Sequence, residues 1–196
     1  SHSGSAVIEV RQLRGDALTR DDAAWAVLSP PTKLSVLLVT PGNAALRLAL
    51  EALPLQKLDV VTPDQFDAMD HGAMSVQLPY HVIVLDRHPA AKRPVGRYIV
   101  FGPPPPGLGA AVQGRLQNQV VVDWRSRHPV LQHVSLMNVH VIGAHRLTLP
   151  RDASVLAEFS RNPAMALLGR AGSAYLLVPF DVLESNWPFE PGFVMF

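Results

Sequence analysis

The polar residues best placed for chemistry stand where apolar runs stop. Thr40 and Asn43 follow Leu34–Val39, and Asp86 and Arg87 follow Tyr80–Leu85. Phe101 and Gly102 close Arg97–Phe101, Asp123 and Trp124 follow Gln119–Val122, and Asp181, Ser185, Asn186 and Trp187 follow Ala174–Phe180. In open α/β sheets, ligands bind beyond the carboxyl ends of the parallel strands. A cleft lined there by Thr40, Asn43, Asp86, Arg87, Asp123, Trp124, Asp181 and Asn186 combines carboxylates, an arginine and an indole, a set suited to a polar ligand. Asp, Asn and Gly also end strands for purely local reasons, because they cap helices and make turns. Trp187 lies among capping residues with Pro188 fixing its backbone, which reads as a structural indole and not a ligand platform.

Covalent hydrolysis needs an activated nucleophile on a tight strand-to-helix turn. The turn after Arg97–Phe101 reads Phe101-Gly102-Pro103-Pro104 and holds no Ser, Cys or Thr, and Pro103 has no N–H for an oxyanion hole. Ser135 and Ser185 lack a Gly-x-Ser-x-Gly setting. The chain has no cysteine, which closes every thiol route, disulfides and thiolate metal sites. Among the eight histidines, His128/His133 and His140/His145 are each five apart, a spacing that puts no pair on one helical face. Thr40-Pro41-Gly42-Asn43 has neither the glycines nor the lysine of a phosphate loop, and Asp21-Asp22 is a lone acidic pair. The expectation is a chain without metal or cofactor and without enzymatic activity.

Such residues need a scaffold, and the spacing of breakers describes one. Leu34–Val39, Leu58–Val61, Tyr80–Leu85 and Arg97–Phe101 are short apolar runs between breakers, the pattern of strands buried on both faces. Asn43 caps a helix whose Leu46, Leu50 and Leu53 share a face, and Thr62-Pro63-Asp64-Gln65 reads as a capping box for a second helix to Met69. Gln119–Val122 reads as a fifth strand. His145–Leu149, Val155–Phe159, Ala164–Leu168 and Ala174–Phe180 are separated only by turns and read as an antiparallel meander. The fold expected is α/β: a flavodoxin-like, three-layer, mainly parallel sheet with helices on both faces, the meander in the C-terminal half, and a short N-terminal β appendage. In that appendage Ala6–Val10 and Ala23–Leu28 are strand candidates, with Leu13–Asp16 as a turn and Ser29–Thr32 as a break. Residues 1–32 thus read as an expression remnant plus an edge hairpin or the last strands of a preceding sandwich, and residues 33–196 as the main domain.

The chain has 196 residues, 48% of them hydrophobic, enough for a packed core. Charged residues make up 17%, below the usual quarter, which suggests a surface partly covered by a neighbouring domain or reflects a proline- and alanine-rich genome. A net charge of +1 without a basic run argues against nucleic-acid binding, and no apolar stretch is long enough to span a bilayer. Both ends, Ser1–Ser5 and Gly192–Phe196, read as cut.

Several stretches carry a family resemblance. They are Leu37-Leu38-Val39-Thr40-Pro41-Gly42-Asn43, Ala49–Leu55, Tyr98–Gly102, Val121–Trp124 with His128–Leu131, and, most specifically, Phe180-Asp181-Val182-Leu183-Glu184-Ser185-Asn186-Trp187-Pro188. The chain resembles a segment of large, planctomycete-type bacterial membrane proteins that carry a von Willebrand A domain and are related to the Bat aerotolerance proteins. In these the segment looks like a degenerate class I glutamine amidotransferase domain between an immunoglobulin-like sandwich and a membrane helix. Arg14–Leu18 and Asp21–Trp25 resemble the end of that sandwich. The family's Cys-His-Glu triad does not carry over: the Cys position falls in Phe101-Gly102-Pro103, and the stretch around Pro179-Phe180-Asp181 has no His. The resemblance implies a non-catalytic interaction or scaffold module of a membrane-anchored, extracytoplasmic parent, with neighbouring domains and other proteins as partners. The alternatives are a small-ligand sensor using the strand-end cleft, and an amidotransferase- or hydrolase-type enzyme with a relocated nucleophile.

Overall fold

The computed structural model describes residues 6–11, 23–28, 33–69 and 79–196, in two units, Ser1–Lys33 and Leu34–Phe196. In the first, β1 (Ala6–Arg11) pairs antiparallel with β2 (Ala23–Leu28) as a sheet of two strands, and Val7, Ile8, Val10, Trp25 and Val27 are exposed. Such a hairpin buries too little to be stable on its own. The turn at Leu13–Asp16, the break at Ser29–Thr32 and the resemblance through Arg14–Leu18 and Asp21–Asp22 lie outside the described residues.

The second unit is built on β3 (Ser35–Val39), β4 (Lys57–Val61), β5 (Val82–Asp86), β6 (Arg97–Phe101), β7 (Ala111–Val120), β8 (Asp123–Trp124), β9 (His140–Thr148), β10 (Ser154–Glu158), β11 (Pro163–Arg170) and β12 (Ser173–Val178). One sheet runs β4-β3-β5-β6-β12-β11-β10-β8. Its pairings are parallel from β4 through to β12 and antiparallel from β12 to β8. Strands β7 and β9 form a separate antiparallel ribbon.

Successive residues of β3 feed different layers, as a strand buried on both faces requires. Val36 and Leu38 pack with Leu46, Leu131, Leu136, Trp187 and Phe193, whereas Leu37 and Val39 pack with Phe66, Leu108 and Leu147. The helices are α1 (Ala44–Glu51), α2 (Pro63–Ala68) and α3 (Pro191–Met195). The Asn43 side chain accepts from the Leu46 N–H at 3.2 Å, starting α1. At α2, Thr62 Oγ1 accepts from the Gln65 N–H at 3.3 Å and the Gln65 side chain accepts from the Thr62 N–H at 2.9 Å, a complete capping box.

The flavodoxin-like, three-layer arrangement does not form. Strand dominates helix, the main sheet is mixed, and α1, α2 and α3 have only 8, 6 and 5 residues. Proline is one physical reason. The β5–β6 connection contains Pro89 and Pro94, and β6 runs into Pro103-Pro104-Pro105-Pro106, segments that lack the N–H donors of a crossover helix. The chain therefore leaves the sheet after β6 as the β7–β9 ribbon and re-enters beside β6 only at β12. Of Gln119–Val122, expected as a fifth sheet strand, Gln119 and Val120 instead end β7, with Gln119 opposite Val141, and Val121 and Val122 follow outside any strand. His145–Leu149, expected to begin the meander, is largely the second half of β9, and the antiparallel run in the sheet is β10-β11-β12.

Candidate functional site

Strands β3, β5, β6 and β12 are neighbours and run parallel, so the loops after Val39, Asp86, Phe101 and Val178 emerge at one end of the sheet. Asp86, the last residue of β5, is fully buried. Its Oδ2 accepts from Thr40 Oγ1 at 2.6 Å and its Oδ1 from Asn43 Nδ2 at 3.3 Å. Arg87 lies beside it, with Nη2 3.3 Å from Asp86 Oδ2 and 3.2 Å from the Gly42 carbonyl, and Nη1 3.3 Å from Asp181 Oδ2. Asp181 Oδ1 also accepts from the Leu183 N–H at 2.8 Å, which caps the 3₁₀ turn Val182–Glu184. Burial raises the Asp181 carboxyl above its ordinary range, opposed by the Leu183 N–H and by Arg87.

The backbone holds this arrangement at a cost. Arg87 has φ 55°, a left-handed conformation rarely taken by a residue with a side chain, and its N–H donates to the Phe101 carbonyl at 2.8 Å. Gly102, at φ 93°, packs against the Arg87 Cα and meets the left-handed requirement of the turn after β6.

Thr40, Asn43, Asp86, Arg87 and Asp181 are thus brought together; Asp123, Trp124 and Asn186 are not. Asp123 and Trp124 form β8 at the far edge of the sheet, Asp123 exposed opposite Glu158 and Trp124 half-buried opposite Ala157. Asn186 is a tether: its Oδ1 accepts from the His140 N–H at 2.7 Å and its Nδ2 donates to the Asn138 carbonyl at 2.9 Å. Trp187 is completely buried.

A hydroxyl donating to a carboxylate is the first half of an activated nucleophile. Here Thr40 is buried and its oxygen also accepts from the Gly42 N–H at 3.0 Å, so the pair is occupied within the loop. The one open valence is Arg87 Nε, which is buried without a hydrogen-bond partner among the described residues, although the side chain as a whole is 33% exposed.

Sequence spacing missed a second cluster. Arg115 of β7 grips both carboxylate oxygens of Glu184, next to the half-buried His145 of β9, residues far apart in the chain that the ribbon register unites. Burial, and then the Arg115 charge, lower the His145 pKa below its ordinary 6.5, with Glu184 opposing. The unfolded chain therefore takes up this proton first. Stability from His145 is present above about pH 6.5 and lost as pH falls through the depressed folded value. Asp181 has the opposite sign in a lower window: its contribution is full below about pH 3.8 and lost as pH rises through its raised folded value. Urea midpoints should therefore fall between pH 7.5 and 5.5, and the fall should shrink in His145→Gln. An equal fall in both proteins would remove His145 as its source.

Among the described residues no helix is long and apolar enough to cross a membrane. The chain matches no protein-family model and no curated protein. Its fold is similar to that of two cytoplasmic proteins of Salmonella typhimurium. STM3548 is 12% identical with a TM-score of 0.57, over 97% of this chain and 92% of that one. STM1381, from strain LT2, is 12% identical with a TM-score of 0.57, over 98% and 93%. A β-galactosidase from Rahnella sp. R3 is 14% identical with a TM-score of 0.51, over 75% of this chain but 28% of that one. At such identities the likeness is one of fold alone.

Proposed function

We propose that this chain is a non-catalytic interaction or scaffold module of a larger, membrane-anchored bacterial protein, a degenerate relative of class I glutamine amidotransferase domains with its site extracytoplasmic. The observation that carries the reading is the state of the strand ends. Asp86, the most buried polar group there, has its carboxylate taken up by Thr40, Asn43 and Arg87, and the turn after β6 is Gly102-Pro103. Acyl transfer needs a nucleophile, a base free to activate it and N–H donors facing an oxyanion, and among the described residues this end of the sheet presents none of these to a substrate. A further fact supports an interaction module: Leu48, Leu183 and Phe189 line a common apolar depression, with Phe189 88% exposed. Exposed apolar patches of this kind mark interaction surfaces.

The test is a panel of glutamine, ester and peptide substrates, with and without zinc or magnesium. Background rates are expected throughout. Turnover that disappears in Asp181→Asn would overturn the non-catalytic reading. The unpaired Arg87 Nε favours a second reading, a sensor of small anionic ligands at the strand ends. That reading requires a thermal shift with an anion such as phosphate or a dicarboxylate, absent in Arg87→Gln.

A further inference from the structure

The β3, β5, β6 and β12 face carries Val36, Val84 and Leu176, which are buried, and Ile99, which is half-buried, but its packing beneath α1 and the C-terminal segment is incomplete. A groove of about 470 Å³ runs over it, with Val84, Ile99 and Leu176 as floor and Leu50, Val130 and Phe193 among its walls. That volume falls within the range of small-molecule sites, roughly 300–1,000 Å³. The lining side chains are uncharged and nearly all apolar apart from Arg97, the one charged side chain among the described residues that form it. Arg97 begins β6, so it sits at the amino end of the parallel strands, away from the Asp86 network. It is exposed, and its side chain makes no ion pair or hydrogen bond with the described residues.

We infer that this groove binds a single-chain amphiphile with an anionic headgroup, of the fatty-acid type, with the alkyl chain over the sheet and the headgroup on Arg97. Charge complementarity selects the headgroup: a guanidinium among otherwise uncharged lining side chains pairs with a carboxylate, and a cationic or neutral head gains nothing from it. The chemistry of the lining selects the tail. The floor strands lie inside the sheet with neighbours on both sides, so their backbone groups are already paired. An extended peptide in the groove would bury amide groups without partners, which is costly, whereas a methylene chain has none to satisfy. This inference concerns a different site from the strand-end network and stands or falls separately from the scaffold reading.

Titration calorimetry with dodecanoate, below its micellar concentration, tests it on the whole chain. Saturable binding of one dodecanoate is expected, about tenfold weaker in Arg97→Gln, the loss of one charge-assisted hydrogen-bonded pair. Dodecyltrimethylammonium should bind more weakly than dodecanoate and should not be weakened further in Arg97→Gln. Ala174 pairs with Arg97 on the adjacent strand and lines the groove, so Ala174→Trp should fill its mouth and abolish dodecanoate binding while the chain still melts cooperatively. If Ala174→Trp does not fold, Arg97→Gln, at an exposed position, decides alone. No saturable dodecanoate binding, or equal affinity in Arg97→Gln, would overturn the inference. So would a concentration-dependent dimer in sedimentation that Ala174→Trp disperses, because a second copy would then be the occupant.

Discussion

Replacing Asp86 by alanine should cost about 3–5 kcal/mol of folding stability, the usual penalty for removing one member of a buried, charged and hydrogen-bonded group. The loss exceeds the bonds counted one by one. The Thr40 hydroxyl and the Asn43 amide would both remain buried without the acceptor they now share, and one of the two carboxylates flanking Arg87 would be gone. Asp86→Asn keeps one acceptor oxygen but turns a donor toward other donors, and should cost roughly 1–3 kcal/mol. Urea unfolding of the three proteins at pH 7 measures both values. An Asp86→Ala protein within about 1 kcal/mol of the parent would mean that the network is incidental to the fold.

Trp187→Ala should be comparably severe, about 3–5 kcal/mol, for a different reason. The indole has no exposed surface, and its centroid lies 6.1 Å from that of Phe180, 5.4 Å from Phe193 and 4.9 Å from Phe196. Truncation opens a cavity among rings that cannot collapse into it. The control is Trp187→Phe. The indole Nε1–H is buried without a hydrogen-bond partner among the described residues, so phenylalanine gives up no bond, leaves a smaller cavity than alanine and should cost clearly less than Trp187→Ala. Equal losses in the two variants would show that the N–H, and not the packing, matters.

Local signals in the sequence translated into structure well. Asn43 and Thr62 announced α1 and α2 because a cap is a short-range device, decided within three or four residues. Val36–Val39 announced a doubly buried strand because burial on both faces leaves no polar position in the run. Layer composition was not legible. Strands with apolar runs imply cover, but whether the cover is helix, loop or ribbon depends on what lies between them, and Pro89, Pro94 and Pro103–Pro106 decided against helices. The βα alternation of the first half of the chain does not continue into the second, where β10, β11 and β12 follow one another through turns.

The candidate site divided along the same line. Thr40, Asn43, Asp86 and Arg87 end β3 and β5, which are adjacent, so strand order along the chain was enough to bring them together. Asp181 joins them because β12 returns beside β6, a pairing across residues 102–172 that no local pattern encodes. Asp123 failed because its strand lies at the opposite edge, beyond β11 and β10. The Arg115–Glu184–His145 cluster was invisible, since it depends on the β7–β9 register and on the position of the turn at Val182–Glu184.

The β6–β12 pairing has a consequence for how the molecule assembles. On one side of it lie β4, β3, β5 and β6, and on the other β12, β11, β10 and β8, and within the sheet this is the single strand pairing that joins them. Strands β10, β11 and β12 can zip up early through tight turns, because their partners are close in the chain. Joining the two groups requires closing the loop 102–172, an entropic cost that precedes any reward from the contacts it makes. Refolding should therefore run on the millisecond-to-second scale of topologies dominated by non-local pairing. Tyr98 and Tyr175 sit opposite each other across this junction with rings stacked at 4.9 Å, so their mutual shielding gives an optical signal for the moment at which two separately formed pieces become one sheet.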